Sequence, residues 1–261
     1  MRESSALIAH LRHVARDGAV RQGDARADDA WLAQGLAAAQ LHEIHAAHVE
    51  ESASAAGFAI ALALAAKAIP ILWLRTEAAE RQGGRLHATG LVELGVSIAT
   101  LVLGVVADDG ALLRAAADGA RCDGLGTLVV EAWGRCPAID LTTTRRLMLA
   151  AETSGVTVLL LRIAAQPVPT AAATRWGVES VASTPLEADA PGSPTFAIEL
   201  QRRRGGPSGR RWRVEWNRDA CRFDDIQSTE AQDRAPLSGA RLPLAAGRAV
   251  AQHAPAPVRR G

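Results

Sequence analysis

Lysine is nearly missing from this chain. Of its 29 basic side chains only Lys67 is a lysine, and the other 28 are arginines. Together with the abundance of alanine, this bias matches coding in a GC-rich genome, so a given arginine is first of all a product of composition. Aromatic residues supply only 3% of the chain, which leaves Leu, Val, Ile and Ala to fill the core. Cysteine is scarce too: Cys122, Cys136 and Cys221 are scattered and form no CxxC pair. That spacing supports neither a disulfide framework nor a zinc site and fits a reducing cytoplasm. Long apolar runs are absent. The longest stretch before Lys67 is about twelve residues, short of the ~20 that a membrane span needs. The opening MRESSALIAHLRHVARDG is too charged for a secretory h-region, so the expectation is a soluble cytoplasmic protein. Net charge is lacking as well, with 28 acidic groups leaving a formal +1, and binding must come from a local patch and not from the overall charge.

What is present suits a globular body. A length of 261 residues allows one large domain or an ordinary one with appendages. Hydrophobic residues reach 48% and mean hydropathy is +0.04, outside the disordered range. Leu7, Ile8, Leu11 and Val14 recur at helical spacing, so residues 1–30 read as an N-terminal helix and linker. Thereafter strand and helix patterns alternate. LHEIHA (Leu41 to Ala46) reads as a strand and Ser54 to Lys67 as a buried helix. ILWLR (Ile71 to Arg75) has the near-continuous apolar character of a parallel strand covered on both faces. IATLVLGVVA, GTLVVEAWG and VTVLLLRI supply three more strands. Asp109 to Arg121 reads as one helix, and a second starts at Asp140 or Thr142 and stops at Gly155. The fold class is therefore α/β, a mostly parallel sheet flanked by helices. After Pro169 the segments TRWGVESVAS, TFAIELQRR and RRWRVEWNR, separated by PGSP and GGPSG turns, predict an antiparallel hairpin addition at one sheet edge. Residues 31–226 form the expected core domain, and 227–261, interrupted by prolines, reads as a disordered tail.

Ligands of open α/β sheets sit beyond the carboxyl ends of the strands, so the segment after LHEIHA is where a phosphate cradle is sought. It reads AAHVEESASAAGF. A phosphate loop needs glycines for close backbone approach, a lysine for the β and γ oxygens, and a Ser or Thr for magnesium. Here Lys67 lies ten residues beyond Gly57, and Glu50 and Glu51 put negative charge where phosphates would lie. His42, His45 and His48 with Glu43 invite a metal reading, but the spacing is wrong for HExxH and on a strand residues 42 and 45 face opposite ways, so the histidines read as edge or loop residues. Glu77, ending ILWLRTE, and Glu131, in LVVEAW, are two carboxylates at neighbouring strand ends that would suit a water-activating or metal-holding pair; Glu131 also reads as a hydrogen-bonded group at a buried strand end. The segment from Gln201 to Arg222 holds eight arginines against Glu215 and Asp219. Arg202, Arg203, Arg204, Arg210, Arg211 and Arg213, with Trp212 to stack on bases, are candidates for a DNA or partner contact, and a solvated hairpin is the competing reading. Trp212 and Trp216 share a strand face and could instead cover the sheet.

The segments GLAAAQLHEIHA, ILWLRTE, LVVEAWGRCPAIDLTTTRRLMLAAETSGVTVLLLR, PTAAATRWGVES and RRRGGPSGRRWRVEWNRD carry a resemblance to the ImuA family of SOS mutagenesis proteins, itself similar to the RecA core and to SulA-type division inhibitors. The resemblance runs from about Gly35 to Phe223. It implies a RecA-like core in which LHEIHA precedes the phosphate-loop position, Glu77 falls where the water-activating glutamate sits, and Glu131 falls at the acidic position of the Walker B strand. It further implies a non-catalytic accessory protein without cofactors in damage-induced translesion synthesis. Its partners would be an ImuB-like Y-family polymerase homologue and an error-prone replicative-type polymerase, with single-stranded DNA and self-association as further contacts. A RecA-like ATPase acting on DNA and a SulA-like division inhibitor are the alternatives.

Overall fold

A computed structural model describes residues 29–226. The strip Leu7, Ile8, Leu11 and Val14 and the segment 227–261 lie outside the described residues. Nine strands form one sheet in the order β3-β2-β4-β5-β1-β6-β7-β8-β9. In chain order they are β1 (Leu41–Ala46), β2 (Ile71–Thr76), β3 (Leu101–Val106), β4 (Thr127–Trp133), β5 (Thr157–Ile163), β6 (Thr174–Ser180), β7 (Thr195–Arg203), β8 (Arg211–Asn217) and β9 (Arg222–Asp225). Between and beside them lie helices α1 (Trp31–Gln34), α2 (Ser52–Ala65), α3 (Glu77–Gly83), α4 (Ala88–Leu94), α5 (Asp109–Gly119) and α6 (Leu141–Ser154).

The sheet is parallel from β3 through β6 and antiparallel from β6 to β9. The expected strands are present, with three differences. Ile98–Thr100 forms a 3-10 turn ahead of β3, so the third strand starts at Leu101. The TRWGVES strand, expected within the antiparallel addition, is the pivot between the two halves: it lies parallel to β1 on one side and antiparallel to β7 on the other. A fourth C-terminal strand, β9, extends the hairpin. Strands β1 and β5 are buried along their whole length, as expected for central strands covered on both faces.

Local signals set the helix ends. Asp140 caps α6 by accepting from the Thr143 amide at 2.7 Å, and Gly155 ends it with φ +88°, a conformation that favours glycine. Asp108 caps α5 and Thr76 caps α3 in the same way. Helix α2, mostly alanine and leucine, carries almost no polar side chain and lies buried on the sheet.

The aromatic residues do more in the core than their number suggests. All nine lie on or against one face of the sheet: Trp31, Phe58, Trp73, Trp176, Phe196, Trp212, Trp216 and Phe223 are in its core, and Trp133 packs against it. The opposite core, under α5 and α6, is aliphatic, built from Leu41, Leu112, Leu128, Leu147, Val158 and their neighbours. Expecting aliphatic residues to carry the whole interior was therefore correct for one face only.

Candidate functional site

The β1–α2 connection is the segment in which a phosphate cradle is sought from sequence. It is short: Ala47 and His48, then a 3-10 turn at Val49–Glu51 that runs straight into α2. Glu51 is folded inward, and its carboxylate accepts from the Ser180 amide of β6. Gly57 lies inside α2 beside the Phe196 ring. Lys67 lies beyond the other end of α2 with φ +53°, about 20 Å along a helix of this length.

The carboxylates Glu77 and Glu131 have different surroundings. Glu131 is buried and accepts from the Trp73 indole at 2.7 Å, the Trp133 indole at 2.5 Å and Arg75 at 3.1 Å. Arg75, also buried, donates to the carbonyls of Ala79 at 3.1 Å and Gly84 at 2.9 Å, tying the α3 turn to the sheet. Glu77 is not the end of its strand. Thr76 ends β2 and caps α3, and Glu77 occupies the first turn of that helix, exposed, 3.6 Å from Arg81. Beside Glu131 opens a cavity of ≈ 280 Å³ between α2, the ends of β2 and β4, and the α3–α4 segment. Its walls include Ala56, Trp73, Trp133 and Leu91, and its polar floor is the Arg75–Glu131 pair. Gly83 lies flat on Trp133, where a Cβ would come within 2.4 Å of the ring.

The histidines of LHEIHA are not edge or loop residues, because β1 pairs with β5 and β6 and is buried. His42 faces the aromatic core. Its Nε2 meets the Ala37 carbonyl at 2.9 Å and its Nδ1 the Thr174 hydroxyl at 2.8 Å, while the Trp176 indole donates to the same hydroxyl oxygen at 2.6 Å. Nε2 donates to the Ala37 carbonyl, and a neutral ring with Thr174 donating to Nδ1 satisfies every group in the chain. Burial depresses its pKa to about 4, despite the bond to Ala37.

Glu43, grouped with the histidines in the metal reading, points to the aliphatic face into a set of buried charges. Its carboxylate accepts from the Thr170 hydroxyl and from Arg175, each at 2.8 Å, and its other oxygen lies 3.7 Å from His45 Nε2. Burial alone would raise the Glu43 pKa, but His45, Arg175 and Thr170 together outweigh it and hold the group ionised. Arg162, buried in β5, faces the same set, and desolvation lowers its pKa against the pull of Glu43. The available signal was a charged residue inside each strand run: Glu43 in LHEIHA and Arg162 in LLLRI.

The arginine hairpin is largely engaged in holding the fold. Arg202 donates to the carbonyls of Ala172 and Thr170, and Arg204 to that of Ala171 at 2.7 Å. Arg213 donates to the Ala182 carbonyl at 2.8 Å, and exposed Arg211 lies 3.4 Å from Glu199. Arg210 stacks 4.8 Å above the Trp212 ring and pairs with Asp29. Trp212 does not present a stacking face. It is 5% exposed, packs against Trp31 and Trp176, and donates its indole N–H to Asp29 at 2.8 Å. Arg203 lies half-buried beside the GGPSG turn. Arg204 reaches Met148 of α6, the helix that carries exposed Arg145 and Arg146 one turn earlier.

Among the described residues no three His, Cys, Asp or Glu side chains come together as a metal-holding group, and no helix is long and apolar enough to cross a membrane. No family model matches the chain. It is similar in sequence to Protein ImuA of two strains of Caulobacter vibrioides, NA1000 / CB15N and ATCC 19089 / CIP 103742 / CB 15. The identity is 29% over 203 residues, covering 72% of this chain and 79% of each relative. In fold it is similar to the crystal structure of the RadB recombinase, with a TM-score of 0.50 and 13% identity over 76% of this chain and 96% of that one. Both comparisons support the resemblance carried by the sequence motifs: the chain is ImuA-like in sequence and RecA-like in fold.

Proposed function

We propose that this chain is a non-catalytic accessory protein of a damage-induced translesion synthesis complex, docking an ImuB-like protein and an error-prone polymerase. The similarity to ImuA supports the setting. The observation that carries the non-catalytic reading is the β1–α2 connection. It has no glycine, its 3-10 turn leads directly into α2, it places Glu50 and Glu51 ahead of the helix, and the chain's single lysine is at the far end of that helix. Phosphate binding at a helix start requires free backbone amides and favours positive charge; acidic side chains there oppose it. Glu131, satisfied by two indoles and an arginine, has the role of a structural acceptor and not of a water-activating base. Calorimetric titration of the full chain with magnesium ATP is expected to give no binding at millimolar nucleotide. Saturable binding at micromolar nucleotide would favour the RecA-like ATPase reading.

The hairpin is the proposed contact with DNA backbone or an acidic partner. Arg202, Arg204 and Arg213 donate to backbone carbonyls and Arg210 pairs with Asp29, so these forks also hold the fold; Arg211, exposed at the start of β8, is the better probe of binding. Replacing Arg211 with Ala should weaken single-stranded DNA binding and lower the slope of log affinity against log salt by about 1. An unchanged slope would assign this arginine to solvation.

A further inference from the structure

The cavity beside Glu131 is roofed by residues 84–95, which run from the end of α3 through α4. No residue of this span is fully buried; Leu86, Leu91 and Leu94 are half-buried against the aromatic core. Its two ends are pinned. Arg75 donates to the Gly84 carbonyl and the Trp216 indole to the Leu94 carbonyl, each at 2.9 Å. Gly84 and Gly95 have φ of +75° and +104°, backbone turns that a residue without a Cβ takes at no steric cost. A span with few buried side chains between two such turns opens at a smaller free energy than the sheet beneath it. The roof can therefore admit a ligand while the core stays folded.

Size and lining select the ligand. At ≈ 280 Å³ the cavity lies at the lower end of small-molecule sites, about 300–1,000 Å³, which is room for one or two rings. Helix α2 lines it from Ser52 onward, and none of residues 47–51 takes part, so the cavity is separate from the β1–α2 connection. The short side chains of Ala53, Ala56 and Gly57 leave space beside the Trp133 indole, a setting for a flat apolar body. Glu131 is the one acidic residue of the lining, and it already accepts from Trp73, Trp133 and Arg75. Exposed Arg85 and His87 of the roof supply the remaining donors. The lining thus favours an anionic group over a cationic one.

We propose that this cavity is a binding site for a small aromatic carboxylate. The ring body sits between α2 and Trp133 under the roof, and Arg85 and His87 hold the carboxylate, with the guanidinium fork matching its two oxygens. This inference is independent of the accessory role and of DNA contact.

Naphthalene-2-carboxylate is the probe and naphthalene-2-methanol its uncharged counterpart. Calorimetric titration of the full chain is expected to show one equivalent of the carboxylate binding saturably below about 1 mM. Hydrogen exchange across residues 85–94 should slow as the probe saturates. Ala56→Leu, which extends a side chain into the cavity, should weaken binding at least about 10-fold while far-ultraviolet circular dichroism stays unchanged. Ala53→Leu, at an exposed position of the lining, is the second variant should the first fail to fold. Arg85→Ala combined with His87→Ala should weaken the carboxylate at least about 5-fold and leave the alcohol unchanged. No binding at about 1 mM, as when another segment of the same chain fills the cavity, would overturn the proposal. So would binding indifferent to both leucines, equal affinity for the alcohol, or displacement of the probe by magnesium ATP, which would make the cavity part of a nucleotide site.

Discussion

Glu131→Ala is expected to destabilise the fold by about 3–5 kcal/mol, read from urea unfolding, because it removes one partner of a buried ion pair and leaves the other charge uncompensated. Arg75 would keep its carbonyl contacts at Ala79 and Gly84 but lose its counter-charge, and two indole N–H groups would lose their acceptor. The structure therefore gives Glu131 more to do for stability than its position at a strand end implied. Glu131→Gln should cost less, since the amide oxygen still accepts from an indole. Glu77→Ala should change stability by less than about 0.5 kcal/mol, because its pair with Arg81 is exposed and such helix-surface pairs contribute little. Equal effects at the two positions would contradict the separation of these carboxylates into one buried anchor and one surface residue.

The second large effect is expected at Trp212. Truncating a buried tryptophan to alanine costs about 3–5 kcal/mol, and Trp212 also carries the hydrogen bond to Asp29 and the stacking of Arg210. Its ring packs against Trp31, the one buried residue of α1, so Trp212→Ala should loosen α1 as well as β8. Thermal melting would report the first change, and faster hydrogen exchange at Trp31 to Gln34 the second. A variant with unaltered melting and exchange but weakened DNA binding would restore the base-stacking role.

Sequence pattern and structure agree best where the cause is local. Apolar runs such as TVLLLRI placed the central strands, Asp140 and Gly155 marked both ends of α6, and the missing glycines after LHEIHA were visible without coordinates. What escaped depends on the order of strands in the sheet. No spacing in LHEIHA reveals that β1 lies between β5 and β6, so its histidines looked peripheral although both are buried. Nor does composition reveal that the nine aromatic residues gather on one side of the sheet. The arginines of the hairpin looked like a binding surface because a run of like charge is countable in sequence. Their carbonyl partners at Thr170, Ala171, Ala172 and Ala182 lie some thirty residues away and become visible only once β6 and β7 are paired.

A RecA-like body that docks proteins without gripping nucleotide should bind its partner whether or not nucleotide is present. Co-purification of the full chain with an ImuB-like protein, in parallel with and without magnesium ATP, measures this directly. Equal, stoichiometric recovery under both conditions is the predicted result; no recovery, or recovery only with nucleotide, would contradict it.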